Sequence, residues 1–186
     1  MNRNKITKDI IAAAVGAKTH FDIWWTLASE ARLRFSMPMT EHSDFFNATH
    51  DAHYVAFFIY FAQLFDKRRD AISLTRYLQL KKADLNSDQY DKFCEWHARL
   101  LKNAQPLLEI RHNLIAHVNA MHTENSLFST LDATWNGMRE TIYEVGHFVA
   151  QLVGVRDVGQ IGIPRDGRLN EATIRLLQSL GEESDA

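Results

Sequence analysis

The chain has 186 residues, a length typical of one domain, and 46 % of them are hydrophobic, which is enough for a sizeable core without disulfides. The formal net charge of −2 at pH 7 argues against a protein that coats DNA through a generally basic surface. The single cysteine, Cys94, excludes an intramolecular disulfide and favours a reducing compartment.

The N-terminal stretch has a basic start, MNRNKITK, and a short apolar run, IIAAAVGA, as signal peptides do. Apolar residues nevertheless continue at helical spacing well beyond this run, so we predict a first long helix over residues 7–34. The apolar run at residues 54–62 is too short to cross a bilayer, which needs about 20 residues. We therefore expect a cytoplasmic protein that does not contact the membrane.

Helical spacing of apolar residues recurs in almost every later segment, and no sustained strand-like alternation is present. Pro38, within SMPM at residues 36–39, predicts a break after the first helix. A second long helix is predicted over residues 41–65 with Thr40 as its N-cap. A shorter helix is predicted over residues 70–81.

Asn86 and Gln89 have the spacing of a capping box and predict the start of a fourth helix that reaches His117, with a kink or restart at Pro106. A fifth helix is predicted over residues 131–153, where Gly154 follows as a stop signal. The fold class that these elements predict is all-α, an antiparallel bundle of four to six helices over residues 1–155. Residues 156–186 are predicted to form a glycine-rich loop, a short C-terminal helix and a frayed tail.

The sequence RHNLIAH, residues 111–117, concentrates polar groups near the end of the predicted fourth helix. Arg111 offers a planar fork of donors that fits a phosphate, and His117 can take or give a proton near neutral pH. His112 and Asn113 can position a substrate or donate to it. Because RNA supplies its own nucleophile, the 2′-hydroxyl, such groups can cleave a phosphodiester without a metal.

Geometry sets a condition on this chemistry. On an α-helix, Arg111 and His117 lie about 120° apart, whereas Asn113 and His117 share a face. One histidine also cannot act as base and acid at the same instant. A two-fold dimer would solve both problems by placing two arginines and two histidines in one groove. The alternative is structural: Arg111 pairs with a carboxylate, and His117 caps a helix C-terminus.

The motif resembles the signature of the HEPN superfamily, in which an arginine, usually followed by a polar residue, precedes a histidine by four to six intervening positions; here there are five. The small Ala116 before the histidine, the chain length, the two long first helices and LFDKRRDAISL at residues 64–74 add to the resemblance. It covers about residues 5–155 and is strongest with the branch associated with abortive phage infection.

The resemblance implies an α-helical bundle, commonly a homodimer, and for many members a metal-independent endoribonuclease whose site lies between protomers. Some members are toxins of toxin–antitoxin or anti-phage systems, and others are inactive binding or scaffold domains. On this basis Arg111 would hold the scissile phosphate of an RNA substrate and His117 would transfer the proton, with His112 as a helper and no cofactor. An antitoxin protein would be a further partner. Asn119 stands where some HEPN toxins carry a tyrosine that is adenylylated, so that route of inactivation is not expected.

Two other groups of polar residues offer alternative functional sites. FDKRRD, at residues 65–70, is either a contact to the phosphate backbone or a charged helix end, and Asp66 within it is expected to support Arg111 through a salt bridge. His50 and His53 allow a metal site, although no fixed ligand pattern supports one. Two further hypotheses therefore stay open, a non-catalytic helical module that binds a partner protein or a nucleotide, and a metal-dependent enzyme.

Overall fold

A computed structural model describes residues 3–29, 33–68, 70–116, 128–131 and 133–184, excluding the side chains of residues 114–116 and 182–184. Within these ranges the protein contains helices and no strand, which confirms the predicted all-α bundle. A π-helix (Arg111–Ala116) follows one α-helix directly, and short 3₁₀-helices cover Lys82–Asp84 and Val158–Ile161. The α-helices are α1 (Arg3–Ala28), α2 (Ser36–Glu41), α3 (Ser43–Leu64), α4 (Leu74–Lys81), α5 (Ser87–Ile110), α6 (Trp135–Val153) and α7 (Arg168–Ser184).

Helix α1 lies at the centre of the bundle and contacts α3, α6 and α7, while α5 packs on α6. Small residues on its buried face, such as Ala13 and Ala17, allow α3 to approach closely with its large aromatic side chains. The side chains that fill the space between the helices are almost wholly excluded from water. The largest apolar ones are Phe21, Phe57, Phe58, Phe61 and Phe148.

Gly16 marks the closest approach between α1 and α3. A β-carbon added there would lie 2.6 Å from Cγ of Tyr60, whose ring also stacks on His20. We expect Gly16→Ala to lower the free energy of unfolding by about 1 kcal/mol, since overpacking costs about 2 kcal/mol and better helix propensity returns about 1. Urea denaturation would measure this change. If Tyr60→Ala failed to relieve it in the double variant, the steric explanation would be wrong.

Several of the predicted helix ends are confirmed. Asn86 and Gln89 form the capping box: the Gln89 N–H donates to Asn86 Oδ1 at 2.9 Å, and the Asn86 N–H donates to Gln89 Oε1 at 3.2 Å. Gly154 ends α6 in the left-handed region, with φ of 101°, which a glycine adopts without strain. The N-terminus of α6 lies at Trp135 rather than residue 131, because the Thr134 hydroxyl accepts a hydrogen bond from the Gly137 N–H.

The break predicted at Pro38, the N-cap predicted at Thr40 and the restart predicted at Pro106 are wrong. SMPM does not break the chain but forms most of α2, because Pro38 lies in the first turn, where its missing N–H has no helical partner to lose. Thr40 is not an N-cap; its hydroxyl donates to the Ser36 carbonyl at 2.6 Å within α2. Pro106 does not restart the fourth helix, since α5 continues past it to Ile110.

The C-terminal segment is anchored to α1 by polar contacts. Asn170 donates to the Asp22 carbonyl at 3.2 Å and to the Thr26 hydroxyl at 2.6 Å. Asp166 pairs with Lys18 at 3.2 Å. Helix α7 also packs on α2, and it continues to Ser184, into the tail that was predicted to fray. The proposed boundary at residue 155 stays a prediction.

A buried ion pair links these elements. Lys18 Nζ lies 2.8 Å from Asp22 Oδ2, and the two side chains are 2 % and 0 % exposed. The ammonium also lies 3.8 Å from the centre of the Tyr143 ring. Burial raises the pKa of the Asp22 carboxyl despite the opposing charge of Lys18, and burial together with the charge of Asp22 raises the pKa of Tyr143 to about 12. The core therefore depends on Lys18 to neutralise Asp22.

Two half-buried histidines make the fold sensitive to acid. Nδ1 of His20 and Nδ1 of His53 lie 2.8 Å apart, so one ring donates while the other accepts, and a further proton would break the contact. Burial lowers the pKa of both rings below 6.5, and the charge of His20 lowers that of His53 further. Burial also lowers the pKa of His97.

These lowered pKa values mean that the unfolded state binds more protons than the folded state just below pH 6.5. The free energy of unfolding should therefore fall on acidification from about pH 7 to about pH 5, by up to about 1.4 kcal/mol per pH unit for each proton taken up. Urea denaturation across this range measures the slope. His53→Gln should make it shallower, and a slope unchanged by that substitution would rule out the histidine pair as a cause.

Candidate active site

The motif begins where α5 changes into a π-helix at Arg111. The predicted α-helix is therefore wrong for residues 111–116. A π-helix has i→i+5 hydrogen bonds and a wider turn than an α-helix. The separation between Arg111 and His117 concerns a residue outside the described part of the chain. Single π-helical turns inside helices occur frequently at functional sites.

Arg111 lines an open cleft of about 900 Å³ between the end of α3, the segment after it and the end of α5. Nε of Arg111 is buried, and no described residue accepts a hydrogen bond from it. A buried donor without an acceptor costs about 1–3 kcal/mol, so Arg111 Nε lacks a compensating contact in the described part of the chain. The cleft is also lined by Ile59, Ala62, Gln63, Phe65, Asp66, Lys67, Arg68, Ala71, Ile72, Gln105, Leu108, Glu109 and His112.

The sequence led us to expect an ion pair between Asp66 and Arg111. Asp66 lies in the cleft, but it does not form this ion pair. Both carboxylate oxygens accept hydrogen bonds from Arg68. Nη2 and Nε lie 2.8 Å and 3.0 Å from Oδ2, and the backbone N–H donates to Oδ1 at 2.9 Å. These hydrogen bonds lower the pKa of Asp66, while Arg111 contributes only a weaker electrostatic attraction. The guanidinium of Arg111 is therefore in no ion pair with a described carboxylate.

The two supporting residues of the motif differ in their roles. His112 is exposed and lines the cleft beside Arg111, as a helper residue requires. Asn113 instead donates from Nδ2 to the Glu109 carbonyl at 2.8 Å and so stabilises the junction between α5 and the π-helix. The expectation that Asn113 shares a face with His117 concerns a residue outside the described part of the chain. His117 and Asn119 both lie in the undescribed range 117–127.

The cleft contains residues that the sequence did not single out. Gln63 and Ile59 of α3 form one wall, and Gln105 of α5, which donates to Glu109 at 2.8 Å, forms another. Lys67 lines it too, although it was interpreted as part of a solvated helix end. Of these cleft residues, only Lys67 could have been identified from the sequence, because it lies among the positive charges of FDKRRD.

His50 and His53 do not converge on a common site. His50 accepts from the Trp24 indole at 2.9 Å and contacts Asp51, while His53 contacts His20. In the part of the chain that the structure describes, no three His, Cys, Asp or Glu side chains are grouped to bind a metal ion. These contacts make the metal-dependent hypothesis unnecessary to explain the two histidines. Separately, no helix of the described ranges is long and apolar enough to span a bilayer.

Comparison with known proteins identifies the family. A family model of HEPN proteins, AbiU2, matches residues 4–152, which is well over half of the chain. No curated protein and no solved structure matches this chain. The matched range contains Arg111 and His117, and the match confirms the resemblance to the HEPN branch associated with abortive infection. The chain therefore belongs to the HEPN family AbiU2.

Proposed function

We propose that the protein is a metal-independent endoribonuclease, an effector of anti-phage defence or a toxin, that cleaves RNA with Arg111 and His117 at a composite dimer site. The observation that carries the proposal is Arg111 itself. It lines an open cleft of about 900 Å³, its buried Nε has no acceptor in the described chain, and Asp66 is bound to Arg68 instead. A phosphate oxygen is the acceptor that such a guanidinium fits best.

RNA cleavage by this mechanism requires three contributions from the protein. Arg111 binds the non-bridging oxygens of the scissile phosphate and stabilises the charge that grows on them. His117 takes the proton of the 2′-hydroxyl as that oxygen attacks phosphorus, and the bond to the 5′-oxygen breaks. The partner's His117 gives a proton to the leaving 5′-oxygen. The products are a 2′,3′-cyclic phosphate and a 5′-hydroxyl.

An exposed apolar stripe on α3 supports the dimer. Phe45, Ala48, Ala52, Val55 and Ile59 follow one another at spacings of three and four residues, which is the seam of a coiled coil. Phe45 is 62 % exposed and Ile59 is 51 % exposed. Ile59 also lines the cleft, so a second copy seated on the end of this stripe would extend the cleft with its own residues.

The dimer is tested by a charge placed in the stripe. We expect Val55→Glu to shift the protein from dimer to monomer, because a carboxylate in an apolar helix seam is costly to bury, and to abolish RNA cleavage with it. Analytical ultracentrifugation measures the first effect. Leu176→Glu is the matched control, since Leu176 is an exposed apolar residue on α7. A dimer that survives Val55→Glu, or that Leu176→Glu also disrupts, would contradict this interface.

Purified wild type, His117→Ala and Arg111→Ala, incubated with a mixed pool of tRNA and mRNA in the presence of EDTA, test the activity itself. The proposal expects cleavage by the wild type alone, with all three proteins folded by circular dichroism. Equal cleavage by the wild type and His117→Ala would exclude the assigned role. No cleavage by any of them would favour the second candidate.

That second candidate is a non-catalytic HEPN module that binds a partner protein or a nucleotide. The exposed stripe on α3 is the observation in its favour, because it could seat a different protein as well as a second copy. In that case Arg111 and His117 would have a structural role only. A variant with both residues replaced that folds normally but loses a growth phenotype would count against it.

A further inference from the structure

A second, shallower depression opens directly beside the Arg111 cleft. It has a volume of about 660 Å³ and runs along the exposed side of α5 towards residues 130 and 131. Lys67, Gln105 and Glu109 line both spaces, so the two lie side by side on this surface. A ligand that enters the cleft at Arg111 can therefore continue along α5 to Lys102.

Two exposed lysines and the carboxylate of Glu109 lie along this path. Lys67 and Lys102 are exposed, and neither is within ion-pair distance of a described carboxylate. The neighbouring arginines do have such partners, since Arg68 is held by Asp66 and Arg99 lies 3.8 Å from Glu144. Two ammonium groups therefore lack a described carboxylate partner, Lys67 where the two spaces meet and Lys102 in the second depression.

We infer that this depression is a subsite for the RNA strand flanking the scissile phosphate, in which Lys67 and Lys102 bind backbone phosphates. The inference rests on the proposed function for the identity of the ligand. Arg111 follows Lys102 by nine positions along α5 and the start of the π-helix, which is about 14 Å along an α-helix. That distance is the rise of about four stacked nucleotides at about 3.4 Å each.

The lining of the subsite also indicates what it recognises. Its described residues include no aromatic side chain on which a base could stack. Contacts from lysine to phosphate fix the register of a strand without reading its bases. The subsite therefore selects RNA by length and charge on this side of the cut, and base preference must come from elsewhere in the site.

The test is binding of a 12-nucleotide, fully 2′-O-methylated RNA in EDTA, measured by fluorescence anisotropy over a range of salt concentrations. This probe has the phosphates but lacks the attacking hydroxyl, so binding is measured without cleavage. Lys67→Gln/Lys102→Gln should weaken binding and make the slope of log K against log salt shallower by about 1.4, since each phosphate contact on a single strand contributes about 0.7. The control is Lys5→Gln/Lys8→Gln, which removes two exposed lysines from α1.

The outcomes separate this inference from the proposed catalysis. A shallower slope in the first variant alone supports the subsite, whether or not the wild type cleaves RNA in a separate assay. An equal change of the salt slope in both double variants would mean that the loss of net charge alone explains it, and this would overturn the inference. An unchanged slope in Lys67→Gln/Lys102→Gln, or no binding of the probe by the wild type, would overturn it as well, even if cleavage is observed.

Discussion

Replacing Arg111 with lysine should lower kcat for RNA cleavage by about a hundredfold or more while the protein stays folded. Lysine keeps the positive charge but loses the planar fork that holds two phosphate oxygens at once, and removal of one such donor from an oxyanion site costs about 10²–10³ in kcat. The free energy of unfolding should change little, because the buried Nε of Arg111 has no acceptor in the described chain to lose.

Measuring activity and stability together distinguishes a catalytic role of Arg111 from a structural one. A stopped-time RNA assay gives kcat, and urea denaturation gives stability on the same preparations. Arg68→Lys is the matched control, since Arg68 lines the same cleft but is engaged by Asp66, and it should retain most of the activity. If Arg111→Lys lowered stability by several kcal/mol and left cleavage intact, Arg111 would be a structural residue.

Replacing Lys18 with methionine should lower the free energy of unfolding by about 3–5 kcal/mol, the cost of leaving one member of a buried ion pair without its partner. Asp22 is 0 % exposed, and Lys18 is the cation that binds its carboxylate at 2.8 Å. Lowering the pH should restore part of the free energy of unfolding that Lys18→Met loses. Burial raises the pKa of Asp22, so its protonated, uncharged form becomes favourable in the folded state as the pH falls.

A double substitution provides the control for this effect. Lys18→Met/Asp22→Leu removes both charges and should restore most of the stability, since apolar residues often replace a buried ion pair without loss. Guanidinium chloride denaturation of the wild type and the two variants measures the difference. A loss below about 1 kcal/mol in Lys18→Met would mean that Asp166 and Asp22 do not depend on Lys18 as the distances indicate.

The sequence predicted features that depend on local spacing. The capping box of Asn86 and Gln89 and the stop at Gly154 each involve a few neighbouring residues with a defined hydrogen-bond or backbone requirement, and both are confirmed. The position of RHNLIAH near the end of a long helix followed from the same periodicity. The match of the family model supports the resemblance that this motif first indicated.

Features that depend on tertiary contacts were not predictable from spacing. Six residues are too few for apolar periodicity to separate a π-helix from an α-helix, so the change at Arg111 was missed. Lys18 and Asp22, four residues apart, have the spacing of an exposed pair on a helix face, and only the packing of α6 and the C-terminal segment against α1 buries them. The attachment of Asp66 to Arg68 depends on the turn that follows α3.

The chemical form of the cleavage products tests the central proposal most directly. Wild-type protein would be incubated with a defined single-stranded RNA in EDTA, and the new 3′ ends would be identified by mass spectrometry. Attack by the 2′-oxygen predicts 2′,3′-cyclic phosphates paired with 5′-hydroxyls, and their absence with His117→Ala. Products with 3′-hydroxyl and 5′-phosphate ends would show that water is the nucleophile and would contradict the proposed roles of Arg111 and His117.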